Sequence, residues 1–502
     1  MKIILAGYNL DADLVEELKK HHPGRNDLTP ETISAAYARI SRNPLPVDEL
    51  RREARREIDK ARSSNRNIVF GMGHNSIAEH AVFNLDVLGV SRLVVEEIEK
   101  FRLCSYTEKS QRYVRLTDDF VLPEEIRSAG LEAPFVETVR AQNSFYQTLF
   151  EQLRELVFRR HAELARDEAN RSTLEGWAKE DARYILSLAT ETQLGMTLNA
   201  RNLEHMLRRL AAHPLEEARQ YARRLYEATA GVAPSLVRYT DPTPYDLYAR
   251  PGLTEEAGKC ILKWGKKKWE DEGHSRPFRK GNVMLYYWTP SADEFLIASL
   301  IHSSSSQPME RCLAIAGLMN RDEKEDLLKR AFSHIKAYDA PLREFENIDL
   351  HFELTVSASC FAQLKRHRMA TLVSQDYDPA LGVTIPPSVL EIGMKNRFRE
   401  IISRTEDLYD RVRKISPAAA GYILTNAHQR RTAIKVNARE LYHMARLRAD
   451  RHAQWDIRET CERMLSLGRR VMPLTLMLAS GKDGFAPLYG RIFPDGDSPS
   501  PR

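Results

Sequence analysis

Apolar and polar residues alternate along Ala81–Val90, where Phe83, Leu85 and Val87 point one way and Val82, Asn84 and Asp86 the other, and a similar run spans His351–Cys360. A period of two predicts a strand with one face in a core. Shorter apolar runs at Lys2–Ala6 and Val283–Tyr287 also read as strands. Each is followed by turn-like residues, Tyr8-Asn9 and Thr289-Pro290, and then by helical periodicity. Phe145, Leu149, Leu153 and Leu156, and again Phe398, Ile402, Leu408 and Val412, recur at roughly three- and four-residue steps. That spacing predicts one long amphipathic helix in each half, its apolar stripe in the core.

The elements come twice because the chain contains a copy of itself. NARNLEHMLRRL from Asn199 returns as NARELYHMARLR from Asn437, and EIEKFRLCSYTEKSQRY (Glu97–Tyr113) has a counterpart in AQLKRHRMATLVSQDY (Ala362–Tyr377). Prolines at 242, 244 and 251 punctuate the junction between the copies. The expected organisation is a first domain over 1–245, a basic connector over 246–282, a second and divergent domain over 283–485, and a flexible tail over 486–502.

With 42% hydrophobic and 29% charged residues, and 24 prolines in 502, the composition is that of a soluble globular protein, which excludes global disorder and a fibrous protein. Membrane spanning is not expected, because the stretch Val82–Val95 is broken by Asn84, Asp86, Ser91 and Arg92. Ile3–Ala6 is too short for a signal-peptide core, and Asp11 and Asp13 follow at once. Five cysteines, Cys104, Cys260, Cys312, Cys360 and Cys461, form no short-spaced pair, so neither a disulfide framework nor a metal site is expected, and a cytoplasmic location is the simplest. The net charge of +5 is uneven: Lys263–Lys280 holds seven basic residues against Glu270, Asp271 and Glu272. A solvated connector explains that segment better than nucleic-acid binding does.

Candidate chemistry lies in polar loops. Arg366, His367 and Arg368 place an imidazole between two guanidiniums, and guanidinium forks suit a diphosphate. In the first copy Lys100, Phe101 and Arg102 stand there, but downstream Glu108, Ser110, Gln111 and Arg112 offer a hydroxyl and a guanidinium two residues apart, a grip for one phosphate. His74 and Ser76 sit in a Gly-His-Asn-Ser turn, where a helix cap and a cofactor contact are both open readings.

Together the stretch GHNSIAEHAVFNLDVLGVSR (Gly73–Arg92), SYTEKSQRY, the two NAR segments, RHR at Arg366–Arg368 and HAQWDIR at His452–Arg458 resemble the flavin-dependent thymidylate synthases. The resemblance implies an α+β fold, two tandem domains that are each a mainly antiparallel sheet packed with long helices. It also implies FAD as cofactor, NADPH and methylenetetrahydrofolate as co-substrates, and reductive methylation of dUMP at carbon 5 to dTMP, with no covalent protein nucleophile. Cys104 lies within the signature and reads as a small buried residue.

Carried over by position, the flavin contacts are Ser41, His74 and Ser76 in the first copy, and Arg366, His367, Arg368, Asn437 and Arg439 in the second. The nucleotide contacts are Glu108, Ser110, Arg112 and Arg183 in the first, and Gln363 and Arg448 in the second. Each copy departs from the family pattern. The first has Lys100 and Phe101 in place of Arg and His, and Leu210 in place of an arginine near the uracil. The second has Gly421 opposite Arg183, Pro341 opposite His74, Asn347 opposite His80, and Asp376 and Asp378 in its loop, where negative charge repels a phosphate. The losses are complementary. Members of the family are homotetramers with sites between subunits, so the resemblance implies a homodimer of this chain, four copies in all, with composite sites made from unlike copies. Modification of another pyrimidine nucleotide, and a non-catalytic nucleotide-binding protein, are the competing readings.

Overall fold

The computed structural model describes residues 1–9, 12–22, 28–39, 45–71, 75–112, 114–116, 118–265 and 277–494. The fold is α+β. The first sheet has β1 (Lys2–Tyr8), β2 (Val82–Ser91), β3 (Ser105–Glu108) and β4 (Glu191–Asn199) in the order β1-β2-β4-β3, every pair antiparallel. The second has β5 (Phe278–Lys280), β6 (Val283–Trp288), β7 (Asp349–Ser357), β8 (Thr371–Ser374) and β9 (Gln429–Asn437) in the order β5-β6-β7-β9-β8. Apart from the edge strand β5, this is the first sheet over again. The register of the opening strand even shifts at matching places, between Leu5 and Gly7 and between Leu285 and Tyr287.

The alternation seen in sequence is the alternation in space. Phe83, Leu85 and Val87 on β2 are buried, Asn84 and Asp86 are exposed, and Leu350, Phe352, Leu354 and Val356 on β7 are buried in the core of the second sheet. The run His351–Cys360 is not all strand. It starts two residues earlier and stops at Ser357, whose hydroxyl accepts the Cys360 amide and opens the helix Ala358–Leu364. Ser91 does the same for the helix Arg92–Ile98 through the Val94 amide. After β4 and β9, Asn199 and Asn437 cap the helices Ala200–Ala211 and Ala438–Arg448 by accepting the amides of Asn202 and Glu440. A side-chain oxygen at these positions satisfies an amide that has no partner inside the helix. Four caps therefore fix where each copy turns from sheet to helix.

The chain packs as two compact units, one formed by Met1–Trp269 with Pro386–Thr425, the other by Glu270–Ile385 with Asn426–Arg502. The units exchange a segment relative to the two sequence copies, because the helix Lys395–Arg413 buries Phe398, Ile401, Ile402, Leu408 and Val412 within the first unit. There Phe398 meets Phe145 of the helix Glu132–Arg160, with ring centroids 6.3 Å apart. Gln142 Nε2 donates to Thr405 Oγ1 at 2.8 Å and to the Ile423 carbonyl at 3.0 Å. Ser187 forms a bridge with Thr425, and the amides of Leu188 and Ala189 donate to the carbonyls of Leu424 and Tyr422.

Two segments placed outside the domains in sequence have regular structure. Pro244–Trp264, in the expected connector, is a helix opened by a Thr243–Asp246 capping box, with none of its residues buried. Lys482–Ile492 is also a helix, so 486–492 is not a flexible tail. Tyr489 is buried there, and Phe485, Leu488 and Ile492 pack on the second unit's core. Among the described residues no helix is long and apolar enough to cross a membrane.

Candidate functional site

In the first unit the polar loop is built on the last residue of β3. Glu108 is buried there in an ion pair with Arg92, the first residue after the Ser91 cap, and Thr192 Oγ1 on β4 lies 3.4 Å from the same carboxylate. Burial works against the Arg92 charge, but the attraction of Glu108, with Glu96 and Glu99 behind it, holds its pKa up. The chain then leaves the sheet. Ser110 Oγ accepts the Arg112 amide at 3.1 Å, and the Arg112 guanidinium is paired with Glu180 of the helix Arg171–Ala182. One turn further on, Arg183 is buried, 5% exposed. Burial pulls its pKa down; Tyr184 and Glu180 oppose that, and the charges of Arg112 and Arg92 add to it. Residues that are about seventy positions apart in sequence thus converge: Glu108, Ser110, Arg112 and Arg183 belong to one cluster, with Arg92 and Glu180 as further members. A buried cation pressed by like charges is electrostatically suited to an anion.

The second unit has a different arrangement at the matching places. Ser374 Oγ, opposite Glu108, shares a hydrogen bond with Thr432 Oγ1. Arg430 lies between the rings of Phe361 and Tyr377, 4.6 and 4.2 Å from their centroids, and its Nε donates to the Gln375 carbonyl. Asp376 is exposed, and Asp378 accepts the Ala380 amide, capping a turn. Gly421, opposite Arg183 in the sequence repeat, packs instead in the first unit, where an added Cβ would make an ordinary contact with Leu93. The loop over 374–378 is braced by Arg430 and Thr432 of β9 and has no Ser and Arg two residues apart.

The three residues Arg366–Arg368 follow the helix Ala358–Leu364, and their side chains differ in exposure. Arg366 and Arg368 are exposed, but the chain turns His367 inward, where it is 3% exposed. Its Nδ1 faces Glu440 Oε1 at 3.3 Å, and Arg448 Nε donates to its Nε2 at 3.0 Å. The expectation of an imidazole presented between two guanidiniums is therefore corrected: the buried ring is committed to internal partners. Arg448 Nη2 also donates to the Gln363 carbonyl at 3.3 Å, and the Gln363 amide donates to Gln454 Oε1. Gln363 is 6% exposed, and its Oε1 has no hydrogen-bond partner among the described residues. Asn437 is engaged as a cap, and Arg439 donates to the Pro341 carbonyl and pairs with Glu346.

Of the remaining expected contacts, Ser76 is exposed on the turn Asn75–His80, whereas Ser41 and His74 lie outside the described residues. Arg92, Glu180 and Glu440 were not singled out from sequence. Arg92 stands inside a quoted stretch, and Glu440 three residues after a capping asparagine, which reads equally as ordinary first-turn acid.

The family model for the thymidylate synthase complementing protein matches the chain twice, over residues 26–235 and 284–474. The flavin-dependent thymidylate synthase of Clostridium tetani is 29% identical over 218 residues, which cover 43% of this chain and 83% of that protein. A UPF0159 protein of Thermoplasma acidophilum is 22% identical over 492 residues, which cover 88% of this chain and 92% of the relative. Among solved structures, the flavin-dependent thymidylate synthase of Helicobacter pylori complexed with FAD and dUMP aligns at 19% identity and a TM-score of 0.30, over 48% of this chain and 100% of that one. The two matched stretches take in well over half of the residues, and the chain belongs to the thymidylate synthase complementing protein family as a tandem duplication.

Proposed function

We propose that this protein is a flavin-dependent thymidylate synthase that methylates dUMP to dTMP with FAD, methylenetetrahydrofolate and NADPH. The observation that carries the reading is the convergence in the first unit of Ser110, Arg112 and buried Arg183, a set suited to a nucleotide phosphate. The relatives named as flavin-dependent thymidylate synthases support the class of reaction.

The donor set also fits FAD in part. Arg366 and Arg368 are exposed guanidiniums two residues apart, suited to a diphosphate. His367, Asn437 and Arg439 have internal partners, so on this reading the two arginines contribute most of the hold in the second copy. When bound, FAD supplies the redox chemistry and the transfer of the one-carbon unit. The chain's own residues bind and orient: Arg112 and Arg183 take the phosphate charge, while the buried Gln363 Oε1 accepts a hydrogen bond from the nucleotide. Because the first copy keeps the phosphate set and the second keeps Gln363, Arg366, Arg368 and Arg448, we place each competent site on residues from unlike copies of a homodimer.

Purified protein should carry a flavin absorption band and, given methylenetetrahydrofolate and NADPH, convert dUMP to dTMP by mass spectrometry. UMP and dCMP assayed in parallel address the buried Leu210, which replaces an arginine near the base. A yellow protein that methylates UMP and not dUMP would shift the substrate, and a colourless protein that binds no flavin would overturn the reading.

A further inference from the structure

An arginine only donates hydrogen bonds, so the His367 Nε2 that receives Arg448 carries the lone pair, and Nδ1 carries the proton shared with Glu440. This geometry calls for a neutral imidazole held in one tautomer. Burial lowers its pKa from the ordinary 6.5; Glu440 opposes the shift, and the Arg448 charge and His443 add to it. Among the described residues the charged and titratable groups that act most on the ring are Glu440, Arg448 and His443, all on the helix Ala438–Arg448, and the His443 ring lies edge-on to it at 5.8 Å.

The first copy supplies an internal control. Counted from the capping serines, His367 corresponds to Phe101; counted from the capping asparagines, Glu440 and Arg448 correspond to Asn202 and Leu210. Phe101 keeps the ring contact, edge-on to His205 at 5.4 Å. Carboxylate, imidazole and guanidinium are thus present together in one copy and missing together in the other, as expected of groups that act only as a set.

We propose that Glu440, His367 and Arg448 form a positioning relay, in which neutral His367 fixes the Arg448 guanidinium beside Gln363 for the nucleotide and is not itself a flavin ligand. Glu440 fixes the tautomer, the tautomer leaves Nε2 able to accept, and Nε2 holds Arg448 in one orientation. Protonation of His367 would turn that acceptor into a donor facing a donor. The assignment rests on the reading of Arg448 as a nucleotide contact.

The test has a ligand-free arm and a ligand arm. Nitrogen-15 NMR of the side-chain histidines in the full chain, without nucleotide, should show His367 protonated on Nδ1 only at neutral pH; the opposite tautomer or a doubly protonated ring would overturn the relay. In calorimetry on flavin-loaded protein, His367→Phe should weaken dUMP binding about tenfold with unchanged flavin content. His367→Gln, whose amide oxygen accepts from Arg448 and does not titrate, should restore affinity and flatten its decline on acidification. Titration of the nucleotide phosphate is common to both proteins and cancels. Unaltered dUMP affinity in His367→Phe, or flavin loss with affinity kept, would defeat the proposal. If the wild type binds no dUMP at all, the functional reading fails, and the tautomer still decides the relay.

Discussion

On the proposed reading, Arg112 serves dUMP and Arg368 serves FAD. Arg112→Ala removes a charge-assisted contact worth about 1.5–3 kcal/mol, so dUMP affinity measured by calorimetry should fall about tenfold to more than a hundredfold. Asp378→Ala should leave that affinity nearly unaltered, because Asp378 caps a turn in a loop without a phosphate grip. Arg368→Ala should release flavin while the fold survives, since the side chain is exposed, and absorbance of the purified variant checks it. His367 sets a pH dependence. Its pKa is lower folded than the ordinary 6.5, so the stability it contributes is present above that value and is lost as pH falls through the lowered one. The thermal midpoint should therefore decline on acidification, less steeply in His367→Gln. Residue types singled out Ser110 and Arg112 because both lie on one short loop, whereas Arg183, expected only from the resemblance, reaches them from the end of a helix some seventy residues later. Residue types did not reveal that His367 points inward, because orientation depends on Glu440 and Arg448, which come from a helix some seventy residues later.

The caps and the exchanged segment govern the elements. Asn437→Ala should lower the apparent unfolding midpoint by an amount corresponding to about 0.5–2 kcal/mol, since it leaves the Glu440 amide without its acceptor. Tyr422 presents a second case. Its hydroxyl donates to buried Glu217, which also accepts the Ser91 amide and hydroxyl. Burial raises the Glu217 pKa against these donors. Tyr422→Phe removes one of the three and should cost about 0.5–1.5 kcal/mol, read by denaturant titration. Strands and long helices were legible from periods of two and of three to four. The end of β7 was not, because a serine in an alternating run is a strand residue until its hydroxyl finds the Cys360 amide. Residues 486–492 were missed as helix because Pro487 and the prolines that follow read as a tail, whereas Tyr489 anchors them to the core.

For the molecule as a whole, duplication was the most legible property, since the same capped strand-to-helix turns recur with matching sequence. The packing of Lys395–Arg413 into the first unit was not legible, because an apolar stripe specifies burial and not the partner that buries it. Its consequence is that Gly421, the second copy's counterpart of Arg183, lies in the first unit, in van der Waals reach of Leu93. Unequal copies imply unequal sites, and counting bound nucleotide puts this to the test. Calorimetric titration of the flavin-loaded protein with dUMP should saturate below one nucleotide per copy, fewer than four for every two chains. Four equivalent dUMP per two chains, or none, would contradict the account.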